Sequence, residues 1–262
     1  MRRWRKGEYA MSRLLKPLKW YKKLATEKGR LEAGAFLVEG DRAIKQIVDG
    51  HPDEIIEIVT MEGLPALYRD YPVRQLTDSQ FRSICNTKTP QGAMAIVRMP
   101  QDMYSSYLPE NTGARVLLLE DVQDPGNVGT LIRTAAAFNY SGVILTEKCA
   151  DPLAPKCVQA TAGAVLAVWL RRTARYLELV EALRKSRYTL VAADLNGEGD
   201  PSALQKGGKL LLALGSEASG LSQPLLNAAD LRFKITIARE KAESLNVAAC
   251  GAICMYLSSL EC

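Results

Sequence analysis

The sequence predicts an α/β protein in two parts, a small α/β domain over residues 31–99 and a mostly parallel sheet with helices on both faces over residues 115–262. Three observations carry this reading. From Arg115 onward, short apolar strands alternate with helix-length segments, as in a parallel sheet. The strands are continuous apolar runs such as Val116-Leu117-Leu118-Leu119, which suits a sheet buried on both faces. Residues 100–114 hold Pro100, Ser105, Ser106, Pro109, Asn111, Thr112 and Gly113 but few core-forming side chains, the composition of a linker.

In the small domain, Phe36 to Gly40 reads as a strand entering a helix. Ala43, Ile44, Ile47 and Val48 form one apolar stripe of that helix, and Gly50 is placed to cap its C-terminus. Ile55–Val59 and Ala93–Val97 are two further strands. In the larger part the strands are Val116–Leu119, Gly142–Thr146, Leu190–Ala193, Leu210–Leu214 and Phe233–Ile237. Helices are expected from Asn127 to about Asn139 and at 155–163, 177–185, 222–229 and 245–259. The last of these has almost no polar face, so something must cover it all round, either its own domain or a second copy of the chain.

Composition excludes several classes. The chain has 262 residues, 47% hydrophobic and 24% charged, which is globular. Its longest apolar run, Ala164 to Leu170, is far below the roughly 20 residues of a membrane helix. Lys and Arg interrupt every apolar stretch near the N-terminus, so no secretory leader is expected. A single histidine, His51, argues against a histidine-based metal site and against a Ser-His-Asp hydrolase. Six cysteines without a C-x-x-C pair read as reduced, cytoplasmic thiols. No metal is expected.

The net charge of +5 is unevenly placed. Residues 1–30 carry eleven Lys or Arg against two Glu, a local +9, which leaves −4 for the rest. Trp4, Trp20 and Tyr21 are interleaved with these cations. Such an arm suits a polyanion whose phosphates meet the cations and whose bases stack on the rings. It also reads as a solvated amphipathic helix, because Leu14, Leu15, Leu18 and Tyr21 recur at helical spacing.

Three segments carry chemical possibilities. The first runs from Glu120 to Arg133 and contains Asp124-Pro125-Gly126-Asn127. Asn127 is placed to cap the helix that follows. Arg133 lies about 150° from the centre of that helix's apolar stripe and so faces outward. The second is Leu214-Gly215-Ser216-Glu217-Ala218-Ser219-Gly220, just beyond a strand, where open α/β sheets bind their ligands. Gly215 and Gly220 allow close backbone approach there. The third runs from Ile235-Thr236-Ile237 to Ser244-Leu245-Asn246 at the last helix. None is a G-x-G-x-x-G phosphate fingerprint.

Together, N-x-G-x-x-x-R, then G-x-E-x-x-G after a strand, then I-x-I followed by S-L-N resemble the SpoU/TrmH class of the SPOUT superfamily. The motifs span about half the chain, and Thr161-Ala162-Gly163-Ala164 fits a lesser signature. The resemblance implies a trefoil-knotted C-terminal domain, an exception to the rule that chains avoid knots, preceded by a substrate-binding domain. It implies S-adenosylmethionine as cofactor, held largely by backbone groups around Leu214, Gly215, Gly220, Ile237 and Leu245, without a metal. It implies transfer of a methyl group to a ribose 2′-hydroxyl of RNA, and the nearly all-apolar last helix, with its small residues, favours a homodimer. Arg133, Asn127, Glu217, Ser244 and Asn246 match the family's catalytic and supporting positions. The sequence departs from the pattern at Ala238, where the family commonly has proline, and the loop before Ser244 is about one residue short.

The accessory domain favours large-subunit ribosomal RNA as substrate. Transfer RNA is the alternative within the class, and a non-catalytic RNA-binding or assembly factor is the alternative outside it. The presence of all five polar site residues counts against the last. A guanidinium is effectively always protonated, so Arg133 is expected to bind phosphate and stabilise a developing alkoxide rather than to act as a base.

Overall fold

Two sheets, each buried on both faces, account for most of the architecture. The computed structural model describes residues 16–61, 68–87, 90–205, 208–238 and 240–260. The first half of the basic arm, with Arg2, Arg3, Trp4, Arg5, Lys6 and Arg13, lies outside the described residues.

The small domain begins with two helices, α1 (Leu18–Lys23) and α2 (Glu27–Ala33), then β1 (Ala35–Glu39), α3 (Asp41–Gly50), β2 (Ile55–Thr60), β3 (Val73–Gln75), α4 (Asp78–Arg82) and β4 (Ala93–Arg98). Its sheet has the order β1-β4-β2-β3, antiparallel except for the β2–β3 pair. Leu37, Val59, Met94 and Ile96 face a layer made by Tyr21, Leu24, Leu76 and Phe81. Phe36, Val38, Ile58, Ala95 and Val97 face the other way and share one apolar cluster with the larger domain.

Residues 16–30, expected as arm, therefore contribute to this core. Tyr21 is 1% exposed, donates to Glu57 at 2.6 Å and lies under the Arg74 guanidinium, so its ring is not free to stack on a base. Arg30 is 3% exposed, pairs with Asp151 of the larger domain and donates to the Leu24 carbonyl at 2.8 Å. Gly50 is the last residue of α3 rather than its cap; His51 closes the helix at φ −141° and ψ 53°, because the residue before Pro52 is kept out of the helical region.

The larger domain comprises β5 (Arg115–Glu120), α5 (Pro125–Ala137), β6 (Gly142–Leu145), α6 (Pro155–Thr161), β7 (Trp169–Arg172), α7 (Tyr176–Lys185), β8 (Tyr188–Glu198), α8 (Ser202–Gln205), β9 (Lys209–Gly215), α9 (Gln223–Ala228), β10 (Leu231–Phe233) and α10 (Val247–Ser259). All six strands pair in parallel, in the order β10-β8-β9-β5-β6-β7. Leu117 and Leu119 face the layer of α5, α6 and α10, whereas Val116 and Leu118 face α7 and α9. Burial on both faces explains the unbroken apolar run in β5.

After β9 the chain runs out to the edge at β10 and returns as α10, which packs on α5. Gly251 makes that return possible: a Cβ there would sit 2.3 Å from Leu131 and 2.7 Å from Leu214. The strand expected at Phe233–Ile237 differs from what forms. β10 covers Leu231–Phe233, its register against β8 shifts after Arg232, and Ile235 and Ile237 leave the sheet. Helix α10 buries Val247, Gly251, Cys254 and Met255 but exposes a stripe of Ala249, Ile253, Tyr256 and Leu260. No helix among the described residues is long and apolar enough to cross a membrane.

Candidate active site

Three loops meet beyond the C-terminal ends of β5 and β9, where a parallel sheet presents its ligand site. The loop after β5 enters α5 through Asp124, which caps the helix by accepting from the Asn127 backbone N–H at 2.9 Å. Asn127 is thus the third residue of α5 and not its cap. The Asp-Pro step carried the signal, since Pro125 is preorganised for the first helical position and Asp is a strong cap before it. The Asn127 N–H, then Lys156 at 3.2 Å, hold the Asp124 carboxyl below its ordinary range.

Relieved of capping, the Asn127 side chain links the other two segments. Its Nδ2 donates to Glu217 Oε1, and its Oδ1 accepts from Asn246 Nδ2 at 3.1 Å. Asn246 in turn caps α10, its Oδ1 accepting from the Ala248 and Ala249 amides at 2.9 and 3.3 Å. Residues 90 and 119 positions apart in sequence are joined by one continuous network.

Behind this network lies a cleft of about 430 Å³, within the roughly 300–1,000 Å³ of small-molecule sites. Leu214, Gly215, Glu217, Gly220, Ile237, Ser244 and Leu245 all line it. Backbone conformation shapes its rim. A Cβ on Gly215 would lie 2.2 Å from the Gly220 carbonyl carbon, and Gly220 itself has φ +66°. The loop therefore doubles back on β9, with a bridge between Ser216 and Gly220, and residues 216–221 all line the cleft.

Sequence reasoning missed part of the wall. Phe233, Asn196 and Cys250 also line the cleft, beside Ile235 of the third segment. The extension of β8 to Glu198, which brings Asn196 there, had no signal in the hydropathy pattern. Cys250 and the fully buried Cys254 form one side of the cleft; the Cys254 thiol is held above its ordinary range by its hydrogen bond to Cys250 first and by burial second. Arg133 stands apart: it is exposed on α5, does not line the cleft, and makes no hydrogen bond or ion pair among the described residues. Also among the described residues, no group of three or more His, Cys, Asp or Glu is placed to hold a metal ion.

The walls fit S-adenosylmethionine. Leu214, Phe233, Ile235 and Val247 offer an apolar slot for a purine, the Gly215–Gly220 turn offers peptide groups, and Glu217 offers a carboxylate that complements a sulfonium. Comparison with known proteins agrees. The SpoU rRNA Methylase family matches residues 114–256, and an MRM3-like substrate binding domain matches residues 16–95. A 23S rRNA guanosine 2′-O-methyltransferase of Bacillus subtilis is 30% identical over 242 residues, 91% of this chain and 94% of that one. The SpoU methyltransferase AviRb of Streptomyces viridochromogenes, solved with S-adenosylmethionine bound, superposes with a TM-score of 0.78 at 25% identity, covering 92% of this chain and 96% of that one. An rRNA methyltransferase of Sinorhizobium meliloti, also solved with the cofactor, gives 0.77 at 27% identity, covering 92% and 93%. The fold, the cleft and these likenesses agree that the chain belongs to the SpoU rRNA methylase family, S-adenosylmethionine-dependent RNA methyltransferases.

Proposed function

We propose that this enzyme methylates a ribose 2′-hydroxyl of large-subunit ribosomal RNA in the cytoplasm, acting as a homodimer. The observation that carries the reading is the Asn127–Glu217–Asn246 network at the mouth of the backbone-lined cleft. Similarity to the Bacillus subtilis 23S rRNA enzyme over nearly the whole chain supports the substrate class. Bound S-adenosylmethionine supplies an electrophilic methyl group. The ribose oxygen must approach that carbon in line and lose its proton as the bond forms. Asn127 and Asn246, fixed by each other and by Glu217, orient the nucleotide at the rim. Ser244 and the turn at Gly215–Gly220 support the cofactor.

Arg133 is a permanent cation with a planar fork suited to phosphate. It binds the phosphate next to the target ribose and stabilises charge on the attacking oxygen, while the proton passes to water. Dimerisation supplies the missing proximity. The exposed stripe of Ala249, Ile253, Tyr256 and Leu260 is apolar, Tyr256 stacks edge-on against Phe138 at the C-terminal end of α5, and Arg133 rises from that same helix. A second copy covering the stripe brings Arg133 of one protomer toward the cleft of the other.

The test is methyl transfer from labelled cofactor to unmodified ribosomal RNA and to transfer RNA, offered separately. Label in ribosomal RNA alone is expected. Label in transfer RNA alone overturns the substrate assignment, and cofactor binding without label in either pool favours a non-catalytic RNA-binding role.

A further inference from the structure

Glu120, the last residue of β5, is a carboxylate only 4% exposed, and a buried charge is costly unless its oxygens are hydrogen-bonded. Three donors satisfy it. Oε1 accepts from the Tyr176 hydroxyl at 2.5 Å and from the Ser222 hydroxyl at 2.6 Å, and Oε2 accepts from the Ser222 backbone N–H at 2.6 Å. Glu120 itself does not line the cleft, but Ser222 closes the loop that does.

We propose that Glu120 is a positioning residue for cofactor binding: through Ser222 it holds the 216–221 loop against the end of β5 and so sets where that loop's peptide groups face the cleft. The proposal rests on the reading of this cleft as the cofactor site. The loop leaves the sheet at Gly215, which is the register partner of Glu120 itself. Within the loop, Ser216 and Ser219 bond to each other at 2.9 Å and Glu217 bonds to Asn127. None of these ties the loop's exit to the sheet. The exit is fixed by burial of Leu221 and by the two Ser222 bonds to Glu120.

Ser222 reinforces the point. It is the N-cap residue of α9, yet its hydroxyl caps nothing and donates to Glu120 instead. A serine at this position ordinarily accepts from the helix amides. Both Ser222 bonds to Glu120 are only 2.6 Å long, so the clamp is tight where the loop must not drift.

The experiment measures S-adenosylmethionine affinity and methyl-transfer kinetics on the full-length protein. Glu120→Gln keeps the shape but turns one acceptor into a donor facing a donor, so one bond is lost and an opposed pair replaces it. The cofactor Kd is expected to rise about tenfold, with kcat at saturating cofactor and KM for RNA changed by no more than about twofold. Ser222→Ala removes one of the two loop bonds and is expected to raise Kd about threefold; it carries the test if Glu120→Gln does not fold. Tyr176→Phe removes a bond to Glu120 without touching the loop and is expected to leave Kd within about twofold. Ala218→Trp, on the cleft wall, tests the cleft itself. If Ala218→Trp weakens binding but Glu120→Gln and Ser222→Ala do not, the proposal is overturned. It is equally overturned if Tyr176→Phe matches Ser222→Ala, since the effect is then general packing. If Ala218→Trp leaves binding intact, the cofactor sits elsewhere and the reading beneath the proposal fails with it.

Discussion

Asn246 donates to Asn127 at 3.1 Å with its amide nitrogen while its amide oxygen caps α10. One side chain thus performs a folding task with one atom and a site task with the other. The two tasks are separable. Asn246→Asp keeps a good cap, because Asp and Asn cap about equally well, but it cannot donate to Asn127. Stability is expected to stay within about 0.5 kcal/mol of wild type while methyl transfer falls at least about tenfold. Asn246→Ala is expected to lose about 1 kcal/mol as well. Thermal unfolding alongside transfer kinetics separates the two losses.

Asp124 makes a prediction about acid. Its pKa is depressed in the folded protein by the Asn127 N–H first and Lys156 second. A depressed carboxyl contributes stability above its unfolded pKa, and that contribution is lost as pH falls through the folded value. Asp124→Ala is therefore expected to cost about 1 kcal/mol near neutrality, with the gap to wild type closing below about pH 4. Denaturant unfolding at pH 7 and in acid measures both; a gap constant with pH contradicts the assignment of Asp124 as the charged cap.

Arg133 is exposed and unpaired among the described residues, so its removal should leave the fold and the cofactor cleft intact. Arg133→Ala is expected to retain stability and cofactor affinity but to lose about 100-fold or more in turnover. Arg133→Lys should recover little, because an ammonium lacks the planar fork. Full activity in the Lys variant would contradict the fork-geometry account.

The two halves of the basic arm make separate predictions. Residues 1–15 carry Arg2, Arg3, Arg5, Lys6 and Arg13. Deleting them is expected to weaken RNA binding and flatten its salt dependence. For single-stranded RNA the log–log slope should fall by about 0.7 for each phosphate the arm no longer neutralises. Deleting residues 1–30 is expected to destabilise the protein, because Tyr21 and Arg30 leave the core. Filter binding over a salt series and thermal unfolding check both statements; unchanged RNA affinity in the shorter deletion sinks the arm's role.

Much of this architecture was legible because burial on both faces writes itself plainly into sequence. Val116–Leu119 and Leu210–Leu214 admit few other readings, and the site segments carry unusual Gly, Asn and Glu spacing at strand ends. Asn127 and Asp124 are both good caps, and the sequence reading passed over the Asp124-Pro125 step that gives the task to Asp124. Other features depend on tertiary choice. Ile235 and Ile237 alternate as a strand would, but the register shift after Arg232 turns them to the cleft. Tyr21 sits among cations like an exposed ring, yet Glu57 and Arg74, contributed by distant strands, fold it inward. Glu120 precedes an obvious motif, but its partners come from 56 and 102 residues away.

The central claim is that the acceptor is the ribose and not the base. The most direct measurement is alkaline hydrolysis of ribosomal RNA labelled by the purified enzyme with methyl-labelled S-adenosylmethionine. A 2′-O-methyl group removes the hydroxyl that alkali needs to cleave the next phosphodiester bond. Label recovered in alkali-resistant dinucleotides, and absent with Arg133→Ala, is the result expected here. Label recovered in mononucleotides would place the methyl group on a base and contradict the account.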